Sequence, residues 1–405
     1  MIIALSSLVI VSYIFTLISG KTRIPTVLLL LLLGIGIREA LTLFGIYVAI
    51  PLELIQFFGV LGLILILLEA GLGLNMSKQK LPLVKYAAAS SVFVLALSMA
   101  GIALVVHYIL GQSWHISFVY AVPLSVISST VVASSINYLS EAKREFLTYE
   151  SSLSDIIGIL VFNFLIAGSM FSVGLITLDI INVLVAVVAS VVVSLLLLLL
   201  LTKTQVNIKA FLIFAVLLLM YALGHKWQMP TLLAVLIFGL IVNNWHLAPF
   251  RYFHKFLPAE EVREATSTIK SVTAESAFLI RTFFFTMFGY MIDVRVLGNV
   301  KVILVGTMVV LIIFLARYLY LRIFVRDHIL PELFFAPRGL VTIVLFYSIP
   351  ASLTFQSFDD GVLFYVIILT TLVMMFGSLW FTPKDATREA EEAPRGWFRF
   401  RKRLE

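Results

Sequence analysis

The sequence predicts an all-α polytopic membrane protein with about 13 transmembrane helices. Three observations carry that reading. Of the 405 residues, 61% are hydrophobic and only 13% charged. A soluble domain carries about 25% charged residues, so two or three soluble domains could not be surfaced from this supply. The apolar residues fall in continuous runs close to the ~20 residues a helix needs to cross the hydrocarbon. The shorter alternating strands of a β-barrel do not fit runs such as Leu195 to Leu201. Finally, 29 Lys and Arg outnumber 22 Asp and Glu, a net charge of +7, and they sit mostly between the runs. In a soluble protein that excess would suggest nucleic acid. Between apolar runs it marks cytoplasmic loops and an anionic membrane face. The absence of cysteine excludes a disulfide scaffold, a thiolate metal site and a thiol nucleophile.

The spans run in order over residues 2–19, 24–37, 55–74, 86–110, 116–139, 146–170, 174–201, 207–224, 230–246, 271–291, 300–322, 330–350 and 361–381. Span 1 is a retained helix rather than a leader peptide, because Lys21 and Arg23 follow its apolar run instead of preceding it. Span 2 is short, and Ala40 to Phe44 extends it. Span 3 carries Glu69 towards its end, either within the membrane or at its inner edge. Span 5 holds Ser125-Val126-Ile127-Ser128-Ser129-Thr130-Val131-Val132-Ala133-Ser134-Ser135, six hydroxyl residues in eleven. Hydroxyls re-satisfy backbone groups where a helix breaks within a membrane, and they equally serve as small packing residues. Span 6 begins Glu150-Ser151-Ser152-Leu153-Ser154-Asp155 and continues apolar to Met170. Its acids and hydroxyls fall at i,i+4 spacing on one broad face. The longest polar loop, about 247–270, precedes span 10. Span 12 contains Ala336-Pro337-Arg338-Gly339, where proline removes a donor and glycine loosens the helix.

The loop charges set the orientation. With the N-terminus outside, 21 basic residues fall on inner segments and the tail, and four on outer segments. That predicts an outside N-terminus, an inside C-terminus and an odd number of spans. Residues 1–381 form the membrane domain, and 382–405 form a short basic cytoplasmic tail that fixes topology or touches lipid.

Ionisable groups inside spans are costly and tend to line ion or proton pathways. Glu69, Glu150, Asp155 and Glu275 are the acids placed there, and Asp155 is the deepest. Asp179, Asp293 and Glu332 lie near span ends and read as interfacial. A desolvated carboxylate at Asp155 is neutralised either by a proton or by a cation, or by a structural partner. Spans 5 and 12 are seven spans apart. Discontinuous helices occur in matching positions of inverted repeats, so spans 1–6 and 8–13 form two such repeats with span 7 as link. The repeat rests on position, since no residue-level identity between the halves is evident.

In this order the motifs resemble those of the monovalent cation/proton antiporters, the sodium/proton exchanger superfamily, over nearly the whole chain. Glu150 to Asp155 resembles that family's Glu-Ser-Leu-Leu-Asn-Asp. Leu68-Glu69-Ala70-Gly71-Leu72 is similar to the end of its third span, and Ser128 to Ala133 to its broken fifth. Phe238 to Asn243 resembles its ninth, Phe283 to Asp293 its tenth, and Pro337-Arg338-Gly339-Leu340-Val341 its twelfth. The resemblance implies a core domain around spans 3–6 and 10–13 that rocks against a dimerisation domain made of the others. It implies that spans 5 and 12 cross at mid-membrane. Asp155 would be the alternating cation and proton carrier, with Thr130, Ser129, Ser154 and Glu69 as further ion or proton ligands. Glu150 and Arg317 would form a structural ion pair, and Arg338 would sit at the helix break. The implied cation site is Asp155 with Thr130, whose hydroxyl and carbonyl oxygens suit a hard monovalent ion.

The chain departs from the family in two places. Ser154 replaces the Asn or Asp that usually precedes the carrier. A neutral residue there leans the expectation to electroneutral one-for-one exchange. The fifth span also lacks the Thr-Asp-Pro of many relatives. Na+ is the expected cargo, because relatives that export potassium often carry a nucleotide-binding domain that does not follow here. Potassium/proton exchange or potassium efflux is the alternative within the class. An ion channel is the alternative outside it, although no Thr-Val-Gly-Tyr-Gly filter is present. A sodium-coupled organic-anion symporter on the same fold is a further alternative. An aspartyl protease would need a second deep Asp facing Asp155. The expectations are therefore no enzyme activity and no cofactor, a homodimer, no nucleic acid, and a multi-pass location in the plasma membrane.

Overall fold

The computed structural model describes residues 2–46, 48–74, 76, 80–136, 138–166, 184–185, 187–197, 209–226, 231–245, 259–325, 329–355 and 358–380. Among these every regular element is helical. The helices are α1 (Ile2–Thr22), α2 (Thr26–Leu43), α3 (Leu52–Gly73), α4 (Leu81–Leu110), α5 (Trp114–Ser125), α6 (Ser129–Ala133), α7 (Glu141–Ile166), α8 (Val187–Leu197), α9 (Lys209–Lys226), α10 (Thr231–Asn243), α11 (Ala259–Met291), α12 (Val294–Leu297), α13 (Val300–Tyr320), α14 (Leu340–Tyr347) and α15 (Asp360–Trp380). Among the described residues, eight helical stretches are long and apolar enough to cross a membrane: α1 to α4, the α5–α6 stretch, α7, α13 with its following turn, and α15. Span 7 and the tail lie partly or wholly outside the described residues, as does Asp179.

The helix ends follow from local chemistry. Gly45 and Gly111 close α2 and α4 in the left-handed conformation, at φ +69° and +68°, which glycine adopts without steric penalty. Ser113 caps α5 by accepting from Ile116 N at 3.4 Å, and Asn299 caps α13 by accepting from Lys301 N at 3.0 Å. As expected, α2 continues past residue 37, to Leu43.

The interruptions expected in spans 5 and 12 are present, and the loop before span 10 differs from the sequence reading. Span 5 is not one helix, because α5 stops at Ser125 and α6 starts at Ser129. Span 12 is a 3-10 turn, Glu332–Phe334, then an extended segment, then α14. The loop before span 10 is shorter than expected, because α11 begins at Ala259. Val262, Ala265 and Ile269 are buried at helical spacing, and Thr266 reaches the carbonyl of Val242 on α10 at 3.5 Å.

The chain divides into two units: residues 1–56, 82–158 and 282–405, and residues 57–81 and 159–281. In the first unit α13 packs on α15, α5 on α14 and α1 on α2. Here α2 crosses α11 backbone to backbone. A Cβ on Gly34 would lie 2.7 Å from Tyr290 N and 2.9 Å from the carbonyl carbon of Gly289. Beyond the crossing, Arg38 donates to Met291 O at 2.7 Å and pairs with Asp293 at 3.1 Å.

In the second unit α3 crosses α10 in the same way. A Cβ on Gly71 would lie 3.0 Å from Gly239 Cα, and one on Gly239 would lie 2.9 Å from Leu68 O. Beyond this crossing, Asn243 and Asn244 each donate to Leu74 O at 2.9 Å, and Met76 N donates to Asn244 at 2.7 Å.

The two crossings share a sequence signature. Pro25-Thr26 stands eight residues before Gly34, and Pro230-Thr231 stands eight residues before Gly239. Four residues after each glycine comes the polar side chain, Arg38 or Asn243, that holds the end of the partner helix. Pro, Thr and Gly therefore recur at the same spacing at the two crossings.

Candidate ion-binding site

The site forms where the two interrupted spans meet, within the first unit. Residues 126–128 leave the helix because Val126, Ile127 and Ser128 are poor helix formers three residues beyond Pro123. The freed backbone groups then need partners. Ile127 N donates to Ser154 Oγ at 3.0 Å, Ser128 N to Pro337 O at 2.9 Å, and Ser129 N to Asp155 Oδ2 at 3.3 Å. At the other side of the break, Arg338 donates to Leu124 O at 2.6 Å and Ser125 O at 3.1 Å, and also to Ala336 O at 2.8 Å. Arg338 is fully buried. Among the described residues its charge is balanced by the negative carbonyl end of α5 and by no carboxylate. Gly339 has φ −161°, which any residue adopts. It is required for closeness instead, since a Cβ there would run into the Ser128 side chain and come within 3.0 Å of Val131.

Asp155 sits on α7 with 1% exposure. Its Oδ2 accepts from the Ser129 hydroxyl at 2.5 Å as well as from the Ser129 amide. Its Oδ1 is buried with no hydrogen-bond partner among the described residues. A buried carboxylate oxygen without a donor is unfavourable unless a proton or cation meets it. Asp155 can therefore hold either a proton or a small cation at Oδ1 while Ser129 keeps it oriented.

The other expected ligands take different positions. Ser154 is buried and accepts from the break itself, so it supports the loop instead of facing Asp155. The Thr130 hydroxyl lies 3.0 Å from the Ser128 hydroxyl. Glu69 belongs to the second unit, where it pairs with Arg281 at 3.6 Å. Glu275 is exposed and accepts from Ser271 at 3.2 Å. Asp293 pairs with Arg38.

Glu150 and Arg317 form a bidentate pair at 3.0 and 2.8 Å, with exposures of 1% and 0%. Ser90 donates to the same carboxylate, and Ser91 donates to the Glu150 carbonyl at 2.8 Å. Reasoning from the sequence passed over Ser90-Ser91, although two adjacent hydroxyls in the apolar run of span 4 are a visible signal. It also read Glu332 as interfacial. That residue is 3% exposed, because Lys143 and Arg317 both hold it. Among the described residues no three His, Asp or Glu side chains gather as a divalent-metal site would require.

The sodium/hydrogen exchanger transmembrane family matches residues 6–383 of the chain. No curated protein matches it. The sodium proton antiporter MjNhaP1 from Methanocaldococcus jannaschii, in its structure at pH 8, superposes with a TM-score of 0.69 at 19% identity, covering 98% of each chain. A second structure of MjNhaP1, an electron-microscopy map, gives 0.65 at 19% identity, covering 96% of this chain and 97% of that one.

Proposed function

We propose that this chain, which belongs to the sodium/hydrogen exchanger family, exchanges Na+ for H+ by alternating access, with Asp155 as the site the two ions share. Membership of the family carries cation/proton antiport as the class of activity. The observation that carries the site is the half-satisfied Asp155 carboxylate at the meeting of the two breaks. Oδ1 takes a proton in one state and the cation in the other, so each ion displaces its rival. Ser129 orients the carboxylate, Thr130 and the open backbone of 126–128 supply oxygens, and Ser154 holds that backbone in place. Glu150 and Arg317 hold α7 to α13, and Arg338 neutralises the end of α5. Na+ is preferred to K+ on the family's name. With a neutral residue at Ser154, only Asp155 changes charge in the cycle, so exchange is electroneutral.

Around the site, spans 1–6 and 8–13 act as inverted repeats, with a core moving against a dimerisation domain. The protein is a homodimer of the plasma membrane, with its N-terminus outside and its C-terminus in the cytoplasm. The test is a pH dye in proteoliposomes, titrated with Na+, Li+ and K+ with and without a clamped voltage. Wild type dissipates the gradient with Na+ and is insensitive to voltage, and Asp155→Asn does neither exchange nor proton release. Exchange retained by Asp155→Asn would overturn the site, and exchange driven by voltage would overturn the stoichiometry.

A further inference from the structure

The buried pair of Glu150 and Arg317 does not end at those two residues. Arg317 also donates from Nε to the backbone carbonyl of Glu332 at 2.7 Å. The Glu332 carboxylate is held by Lys143 Nζ at 3.2 Å, and the same ammonium donates to Leu330 O at 2.9 Å. Lys143 and Glu150 stand seven residues apart on α7, which is nearly two turns, so they share one face about 10 Å apart. Glu332 is therefore gripped twice: through its carboxylate by Lys143 on α7, and through its carbonyl by Arg317 on α13, which Glu150 on α7 holds in turn. It opens the 3-10 turn that runs directly into residues 335–339. The four charges alternate in sign along the chain of contacts.

We propose that Lys143 and Glu332 are positioning residues that fix the 335–339 segment, and with it Arg338 and Gly339, against the break that holds Asp155. The effect on ion binding rests on Asp155 being the exchange site. The physical reason is leverage. A single ion pair swivels about its contact and fixes a distance only. Two contacts to one residue, from Lys143 on α7 and from Arg317 on α13, which Glu150 ties back to α7, fix a direction as well. Pro337 O and Arg338 are the groups this direction places, and both bond to the span 5 break, at Ser128 N and at Leu124 O.

The test uses the full chain in liposomes, with backbone hydrogen exchange measured over residues 335–343. Lys143→Met speeds exchange in that segment and raises the KM for Na+ about fivefold, or about 1 kcal/mol at 1.4 kcal/mol per tenfold. The maximal rate stays within about twofold of wild type, since the carrier carboxylate is untouched. Lys143→Arg, which keeps the charge and the donors, restores both readouts. Glu332→Gln, which keeps the carbonyl held by Arg317, gives a smaller change in the same direction. Wild-type hydrogen exchange and KM in both Lys143→Met and Glu332→Gln would overturn the proposal. If the wild type drives no Na+-dependent proton movement yet the segment loosens in Lys143→Met, the positioning role stands and the transport reading falls.

Discussion

Ser129 holds Asp155 with two donors at once, its hydroxyl and its amide. A hydrogen bond to a charged group contributes about 1.5–3 kcal/mol. Ser129→Ala removes the hydroxyl and leaves the amide, so apparent Na+ affinity in the liposome assay falls about tenfold while Asp155 stays in place. Ser129→Thr keeps the hydroxyl and restores much of the affinity. An unchanged affinity in Ser129→Ala would remove Ser129 from the site. At this scale the sequence was informative about identity and poor about pairing. Asp155 stood out because a carboxylate in an apolar span is rare. Ser129, Thr130 and Ser154 were indistinguishable in the sequence, because three hydroxyls within reach of one acid differ only in where the backbone turns. Only the path of residues 126–128 decides that Ser129 faces the acid while Ser154 faces the break.

Interrupted spans and glycine crossings are two of the ways the described helices meet. The interruptions were legible, since Pro337-Arg338-Gly339 and the hydroxyl run of span 5 are poor helix and stand seven spans apart. The crossings were not. Pro-Thr followed eight residues on by glycine occurs at 25–34 and at 230–239, yet the leucine-rich context hides it, and its meaning appears only when each glycine lies on another backbone. The first twelve residues of α11 were hidden for a different reason. Their polar composition reads as loop, and only the spacing of Val262, Ala265 and Ile269 betrays a helix. The crossings make a sharp prediction. Gly34→Ala and Gly71→Ala push backbones apart, and each lowers thermal stability in detergent by the equivalent of about 1–3 kcal/mol. Gly36 and Gly73 lie two residues further along the same helices, with nothing within 4 Å of an added Cβ. Gly36→Ala and Gly73→Ala are therefore neutral or stabilising, since alanine favours a helix by about 1 kcal/mol over glycine. Equal losses at all four positions would show that the effect is not one of closeness.

For the molecule as a whole, the supply of charge tells most about placement. Twenty-one basic residues on one set of loops against four on the other predict sidedness, and the absence of cysteine gives a blank background on which to check it. Arg144→Cys and Lys301→Cys are both exposed positions, the first on the expected inner side and the second on the outer. In intact cells a membrane-impermeant maleimide labels Lys301→Cys and spares Arg144→Cys. The reverse pattern would invert the topology. The paired glycine crossings bear on how such a molecule moves. Side chains act as a soft layer that lets helices creep past one another by fractions of an ångström. Where Gly34 lies on Gly289, and Gly71 on Gly239, that layer is missing and peptide planes mesh like teeth. Sliding at these points would have to skip a full turn, about 5.4 Å, or not occur. Spans 10 and 3 of the proposed core meet spans 2 and 9 of the proposed dimerisation domain at these points, so the proposed stroke pivots about the crossings instead of sliding along them.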